Sequence, residues 1–320
     1  MKIAVAMSGG VDSSVAAALL LEQGHDVFGI TMKHYDNKLS GFDPGEGIEA
    51  SILDAEAVAA RLGIQYYVID LQKDFQSIVE KNFITEYQAG RTPNPCTLCN
   101  PTIKWGKLLD RALELDADKI ATGHFVRLLE KDGLYELHKG SDPVKDQSYM
   151  LWGLNQTQLR KTLFPVGNLT KKEIRKIANE LKLPIHDKKD SQEICFIKGH
   201  YEDYLRKKIK FQFGDITLPD GKIIGKHRGL PLYTIGQRKG LNTPWSSPLY
   251  VLHKDSDNNI LIVTEDLNDL KQESFCLKDL NWLAGALPEQ DDTITVQIRY
   301  NSDPVPVRKF ELQSDRMKVF

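Results

Sequence analysis

The stretch "KIAVAMSGGVDSSVAAALLLEQG", residues 2–24, decides the fold. Its apolar run stops abruptly at Ser8-Gly9-Gly10, and the residues after it are helix formers as far as Gly24, a natural helix stop. The pattern predicts a buried strand, a tight glycine turn and a helix. A lysine followed by an apolar run also raises the possibility of a signal peptide, but the longer apolar core and the small-residue cleavage site are missing. Further along, "DVFGIT" (26–31), "QYYVID" (65–70) and "DKIATG" (118–123) read as strands, with helices over 48–63 and 73–88. Strands alternating with helices of this length predict an α/β, doubly wound parallel sheet. In such sheets functional residues gather at the carboxyl ends of the strands. Ser8–Ser14, Met32, a proline-rich loop near 92–101 and Gly123-His124 should therefore converge.

Beyond this sheet the pattern changes. A hairpin is expected around Lys131-Asp132-Gly133, then helical structure over 155–182 interrupted at "LFPVGNL", and from about 211 mostly strands and turns. This predicts a catalytic α/β domain with a helical extension (1–203), a small β-rich domain (204–268) and a C-terminal domain (269–320) that reads as an incomplete β-barrel. With 41% hydrophobic and 27% charged residues the composition is that of a globular protein, and no apolar run is long enough for a membrane span. These features place the chain in the cytoplasm. Four cysteines in 320 residues make no disulfide scaffold there. The net charge of −2 conceals a segregation: residues 151–245 hold 19 Lys and Arg against 9 Asp and Glu. Such a basic stretch suits a polyanion, although a solvated helical face explains any single run such as "RKKIK".

"MSGGVDSS" (Met7–Ser14) places two glycines, three hydroxyls and a helix N-terminus together, which suits a phosphate. The Walker lysine is absent, and Asp12 is placed to hold a Mg²⁺ that neutralises pyrophosphate. A plain strand–turn–helix corner capped by serine is the bland alternative. The whole string in its strand–helix context favours the phosphate. Ser-Gly-Gly-x-Asp-Ser resembles the signature of the PP-loop ATP pyrophosphatases, of the adenine nucleotide alpha hydrolase-like fold. That superfamily attaches AMP to a substrate oxygen and includes small-molecule ligases as well as RNA-modifying enzymes.

Six further stretches, "GRTPNPCTLCN", "IATGHFVR", "KDQSYMLWGL", "LFPVGNL", "KKDSQEICFI" and "LPLYTIGQRKGL", occur in this order. Together they closely resemble the tRNA-specific 2-thiouridylases, the MnmA or TrmU family, from residue 1 to about 265 and more weakly beyond. The resemblance implies ATP-dependent replacement of the 2-oxo group of a tRNA wobble uridine by sulfur, through an adenylated uridine. It implies that Ala6, Met7, Ser8, Gly9, Gly10, Val11, Asp12, Ser13, Met32 and Gly123 bind ATP. Asn94, Pro95 and Cys96 would border the flipped target base, and His124, Lys145, Asp146, Gln147, Arg299 and Tyr300 would touch tRNA. Cys99 would be the nucleophile and Cys195 the persulfide carrier, with a transient Cys99–Cys195 disulfide closing the cycle. A cysteine desulfurase or sulfur relay protein would supply the sulfur.

Each of these positions has a bland reading. His124 can cap a strand, Lys145 and Arg299 can be solvated, Tyr300 can be barrel packing, and Cys195 can be a small buried hydrophobe. For catalysis, Lys188 and Lys189 are expected to lower the pKa of Cys195. Cys276 reads as structural.

Two departures from the family pattern stand out. Cys96 occupies the position where the best-known members have an aspartate acid/base. Cys96, Cys99 and Cys195 thereby become a C-x-x-C plus distant-C set, as in related PP-loop thiolases that hold a 4Fe–4S cluster. Persulfide chemistry without a cluster, and a zinc site recruiting His124, are the alternatives. The second departure is that the chain stops at Phe320, where the family usually continues for some tens of residues. A small-molecule PP-loop ligase and a tRNA-binding protein with impaired catalysis remain as rival functions.

Overall fold

The structure, a computed structural model, describes residues 1–190, 194–288, 293–313 and 316–320. Ser191–Glu193 of the "KKDSQEICFI" stretch and Asp292, at the start of an expected strand, lie outside the described residues. Two compact units form, each assembled from separate stretches of chain.

The first unit comprises Met1–Val79, Pro95–Lys198 and Asp279–Val307. Its strands β1 (Lys2–Ala6), β2 (Asp26–Lys33), β3 (Gln65–Asp70) and β4 (Lys119–Thr122) form a parallel sheet. Helices α1 (Val11–Glu22) and α2 (Gly47–Leu62) provide the crossovers. A hairpin of β5 (Val126–Lys131) and β6 (Leu134–Lys139) follows, its turn carrying Asp132 and Gly133 at positive φ as expected of that sequence. The 155–182 segment is helical at Gln156–Arg160 and Lys171–Glu180 and interrupted between them, as expected, but the break also holds a strand. Thr162–Leu163 forms β7, the edge strand beside β4, giving the order β3-β2-β1-β4-β7. The Thr162 hydroxyl accepts a 2.7 Å bond from buried Trp105 Nε1, a tertiary contact that local propensity does not report. Helix α3 (Lys171–Glu180) then starts on a capping box between Thr170 and Glu173.

In β1, Ile3, Ala4 and Val5 are fully buried, which is why this strand reads as an unbroken apolar run. They and Val15, Ala16 and Ala17 of α1 are completely enclosed, and Ile174 and Ala178 of α3 join the same core. The register places Ala6 beside Ile30 and Thr122, so the chain leaves these three strands at one edge.

The proline loop differs from the expectation. Pro95–Cys99 is a short helix that runs on into a π-helical stretch, Asn100–Leu108. Pro101 has no N–H to return to the preceding turn, and the helix widens there. A second π-helical turn, Gln76–Glu80, interrupts the helix expected over 73–88.

The second unit comprises Glu80–Asn94, Gly199–Lys278 and Arg308–Phe320. Strands β8 (Gly214–Thr217), β9 (Ile223–His227), β10 (Tyr250–Asp255) and β11 (Ile260–Thr264) form a sheet in the order β10-β11-β8-β9 around Ile216, Tyr233, Val251 and Leu261. A three-stranded antiparallel sheet joins β12 (Phe275–Lys278) to Phe310–Gln313 and Arg316–Val319. No closed barrel forms among the described residues.

Candidate active site

The chain leaves β1 at Ala6 and turns through Ser8–Gly10 into α1. Gly9 takes φ +67°, and a Cβ there would meet the Ser51 carbonyl oxygen at 2.4 Å, so this position requires glycine. The turn is braced from within. The Ser8 N–H donates to Ser13 Oγ at 3.2 Å, and the Ser13 and Ser14 hydroxyls donate to the Gly10 carbonyl at 3.2 and 2.8 Å. Gly10 is the N-cap and offers no side chain, so no side-chain cap satisfies the first turn of α1. Gly123, just after β4, approaches from the other side; a Cβ there would lie 2.5 Å from the Ser13 nitrogen. The result is a backbone cradle that a side chain would fill, which fits a polyphosphate. Met7 and Val11 point into the core, so any contact they make with a nucleotide comes from their backbone.

Asp12 reaches out of this turn to Lys171, whose Nζ lies 2.6 Å from Asp12 Oδ1 and 2.7 Å from Asp190 Oδ1. Burial raises the Asp12 carboxyl above its ordinary range, more than Lys171 lowers it. A half-buried carboxylate with one cationic partner is a suitable ligand for a divalent cation. Lys188 holds the Gly9 carbonyl at 2.9 Å and Asp54 at 2.5 Å.

The thiols follow from the second strand. Met32 near the end of β2 accepts a 3.1 Å bond from Nδ1 of buried His34, and His34 Nε2 lies 3.3 Å from Cys195 Sγ. A carbonyl only accepts, so Nδ1 carries the proton; the bare Nε2 receives the Cys195 S–H. Tyr35 and Phe75 meet the imidazole edge-on at 4.8 and 4.9 Å and fix its plane. Burial, foremost, lowers His34 to about 4.

Cys99 is buried, while Cys96 and Cys195 are accessible. Exposure of part of the residue does not spare the thiol the desolvation imposed by the protein atoms around it. Desolvation pushes Cys99 up to about 11 and raises Cys96 and Cys195 as well. Thiolate charge on Cys96 or Cys99 would raise Cys195 further, and Lys104 opposes the shift at every one of them. The expected acidification of Cys195 by its lysine neighbours is therefore reversed, because Lys188 is spent on Asp54 and Gly9. Lys104 stands where that help was expected, its Nζ 3.0 Å from Asn100 Oδ1 and 3.5 Å from His124 Nε2.

Among the described residues no three His, Cys, Asp or Glu side chains are gathered to hold a metal ion. Cys195 is paired with His34, and the nitrogens of His124 are taken by Thr122 (2.8 Å) and Lys104. The zinc set with His124 is not assembled among the described residues.

Of the residues expected at tRNA, Lys145 forms a 2.7 Å ion pair with Asp190. The Asp146 carboxylate accepts from Gly140 N (2.9 Å) and Ser148 Oγ (2.7 Å), and Gln147 Oε1 from Phe125 N (3.0 Å). Tyr300 donates to the Asp146 carbonyl at 3.0 Å, and its ring lies 6.2 Å from that of Tyr149. Arg299 neighbours Tyr300 on the same segment, and Pro95 is buried at the start of the thiol helix. Asn94 belongs to the second unit. Sequence reasoning missed His34, Lys104, Lys171 and Asp190. Each gains its meaning from a partner distant in sequence, and only Asp190 lies in a quoted stretch, where it had no assigned role.

A glycine-lined backbone cradle between β1 and α1, at the carboxyl edge of a parallel sheet, defines a PP-loop protein of the adenine nucleotide alpha hydrolase-like fold. The family described as tRNA methyl transferase HUP domain matches residues 1–199, and that described as tRNA methyl transferase PRC-barrel domain matches 202–265. The tRNA-specific 2-thiouridylase MnmA of Trichlorobacter lovleyi is 45% identical over 99% of this chain and 89% of its own length. Those of Leptospira biflexa (44%, 95% of this chain and 81% of the relative) and Methylobacillus flagellatus (42%, 99% and 90%) are similarly close. The chain belongs to the tRNA-specific 2-thiouridylase (MnmA) family. No helix among the described residues is long and apolar enough to cross a membrane.

Proposed function

We propose that this chain is an ATP-dependent tRNA-uridine 2-sulfurtransferase acting through a Cys195 persulfide. The glycine cradle formed by Ser8–Ser13 and Gly123 binds ATP, Asp12 holds the accompanying Mg²⁺, and Met32 contributes from the end of β2. Asn94, Pro95 and Cys96 border the uridine, and His124, Lys145–Gln147, Arg299 and Tyr300 form the tRNA face. The uridine 2-oxygen attacks the α-phosphorus and displaces pyrophosphate, which leaves an adenylated oxygen on C2. The terminal sulfur of the Cys195 persulfide attacks C2, and AMP departs with that oxygen. Cys99 then attacks the Cys195 Sγ of the mixed sulfide, releasing 2-thiouridine and forming the Cys99–Cys195 disulfide. An external dithiol returns both cysteines to thiols, and a cysteine desulfurase or sulfur relay protein reloads Cys195. Thiol chemistry of this kind supports a reducing compartment, the cytoplasm. We also propose the division of labour along the chain as catalytic 1–203, RNA-binding 204–268 and a C-terminal β domain from 269.

The single observation that supports the sulfur step is the His34–Cys195 contact, which gives the sulfur carrier an ordered hydrogen-bond acceptor. The test is a purified reaction with ATP, unmodified tRNA and a persulfide source, following AMP and 2-thiouridine together. Both should appear only with tRNA present. AMP formed without tRNA would favour a small-molecule ligase, and tRNA binding without AMP a protein that has lost catalysis. Iron and sulfide are assayed on anaerobically prepared protein. About four of each, lost on Cys96→Ala, would replace the persulfide route with the 4Fe–4S cluster.

A further inference from the structure

Two lysines beside the phosphate cradle share one carboxylate. Asp190 Oδ1 receives Lys171 Nζ at 2.7 Å and Arg175 at 3.2 Å, while its Oδ2 receives Lys145 Nζ at 2.7 Å. Lys171 also holds Asp12 at 2.6 Å, so a chain of contacts runs Asp12–Lys171–Asp190–Lys145. The backbones of both lysines are fixed on a second carboxylate. Asp142 Oδ1 accepts from Lys145 N (3.1 Å) and Oδ2 from Lys171 N (2.9 Å). Only the side-chain tips are free to change partners. Lys171 opens α3, the end of a helix that disfavours a cation, so the two carboxylates and not the helix keep it there.

We propose that Asp190 is a positioning residue that couples the two substrates: when a tRNA phosphate takes Lys145, Asp190 draws Lys171 from Asp12 and frees Asp12 for the divalent cation of the nucleotide. This rests on the reading that Lys145 meets tRNA. Without tRNA, Lys171 occupies the carboxylate that the divalent cation needs. Neutralising Lys145 with a phosphate leaves Asp190 under-compensated, and the nearest mobile cation is Lys171. The side chain of Lys171 is 13% exposed, so its exchange between carboxylates is little screened by water. Burial works against charge on Asp190, yet the bonds from Lys145 and Lys171 hold its carboxyl at about 2, which shows how strongly it depends on both. The coupling directs ATP consumption to the enzyme that already holds its RNA.

The experiment measures the affinity of the full chain for a non-hydrolysable α,β-methylene ATP with Mg²⁺, with and without unmodified tRNA. Filter binding follows tRNA in parallel. tRNA should tighten nucleotide binding by about fivefold or more, the lower end of ordinary coupling, and nucleotide should tighten tRNA by the same factor. Lys145→Gln should tighten nucleotide binding in the absence of tRNA and abolish the response to tRNA. Asp190→Asn should also abolish the response. A through-space charge effect predicts the opposite for Lys145→Gln, since removing a cation near a polyphosphate weakens binding. Unchanged or weaker nucleotide affinity in Lys145→Gln overturns the coupling, as does wild-type tRNA binding that leaves nucleotide affinity unaltered. If the wild type binds no tRNA, the functional reading itself fails.

Discussion

Nε2 of His34 lies 3.3 Å from Sγ of Cys195, although 161 residues separate them. Met32 sets the imidazole tautomer and Phe75 its plane, so the acceptor at the sulfur is fixed before any substrate arrives. Burial is also what makes His34 a stability switch. Its folded pKa of about 4 lies below the ordinary 6.5, so the unfolded chain takes up the proton more readily than the folded protein does. Stability is therefore complete above about pH 6.5 and is lost as pH falls toward 4, by about 3 kcal/mol at most for this group. His124 is shifted in the same direction. Urea unfolding between pH 7 and 4 should show the loss, with a shallower slope in His34→Gln. An equal slope in the variant would remove His34 from this account.

Cys99 should react slowly at neutral pH. Its thiol stands at about 11, so the thiolate fraction, and with it the alkylation rate, rises with pH through the alkaline range. Lys104 is the cation that opposes this shift, and Lys104→Gln should slow Cys99 alkylation at pH 8 by a few-fold. Site-resolved mass spectrometry after iodoacetamide decides it; faster alkylation in the variant would contradict the electrostatics.

Gly123→Ala should damage the cradle without touching the thiols. The new Cβ would sit 2.5 Å from the backbone nitrogen of Ser13, too close to be relieved by a side-chain movement. Overpacking of this kind costs about 1–3 kcal/mol and forces α1 away from β4. Nucleotide affinity should fall at least tenfold on the same order of energy. Calorimetric titration with ATP and denaturant unfolding would both register it, and unchanged affinity would show that Gly123 does not border the nucleotide.

Asp146 is predicted to act through its loop. Its carboxylate supports Gly140 N and Ser148, and its carbonyl receives Tyr300. Asp146→Ala should lose about 1–2 kcal/mol of stability, since backbone and hydroxyl donors are left unpaired. Asp146→Asn, which keeps an acceptor, should recover most of it. If Asn and Ala were equally impaired in tRNA binding yet equally stable, the carboxylate would be touching RNA directly.

Wherever a local pattern suffices, the sequence alone determined the outcome. The β1–turn–α1 unit follows from an unbroken apolar run, two glycines and a string of helix formers. The alternation of strands and helices then leaves few arrangements besides a parallel sheet. The ordered motifs likewise marked Ser8–Ser13, Cys96, Cys99 and Cys195, because each lies within a short contiguous string. The tertiary structure decided what those residues can do. Whether Cys195 is acidified depends on which cation is near its sulfur, and Lys188, seven residues away, is turned to Asp54 while Lys104 faces the thiols. Edge strand Thr162–Leu163 exists because β4 offers it a ladder and Trp105 a hydrogen bond, neither of which propensity records. His34, Lys171 and Asp190 carry no motif. Their roles are pairings across more than 100 residues, or a carboxylate shared by three helix and loop cations, and such relations come into being only when the chain has folded.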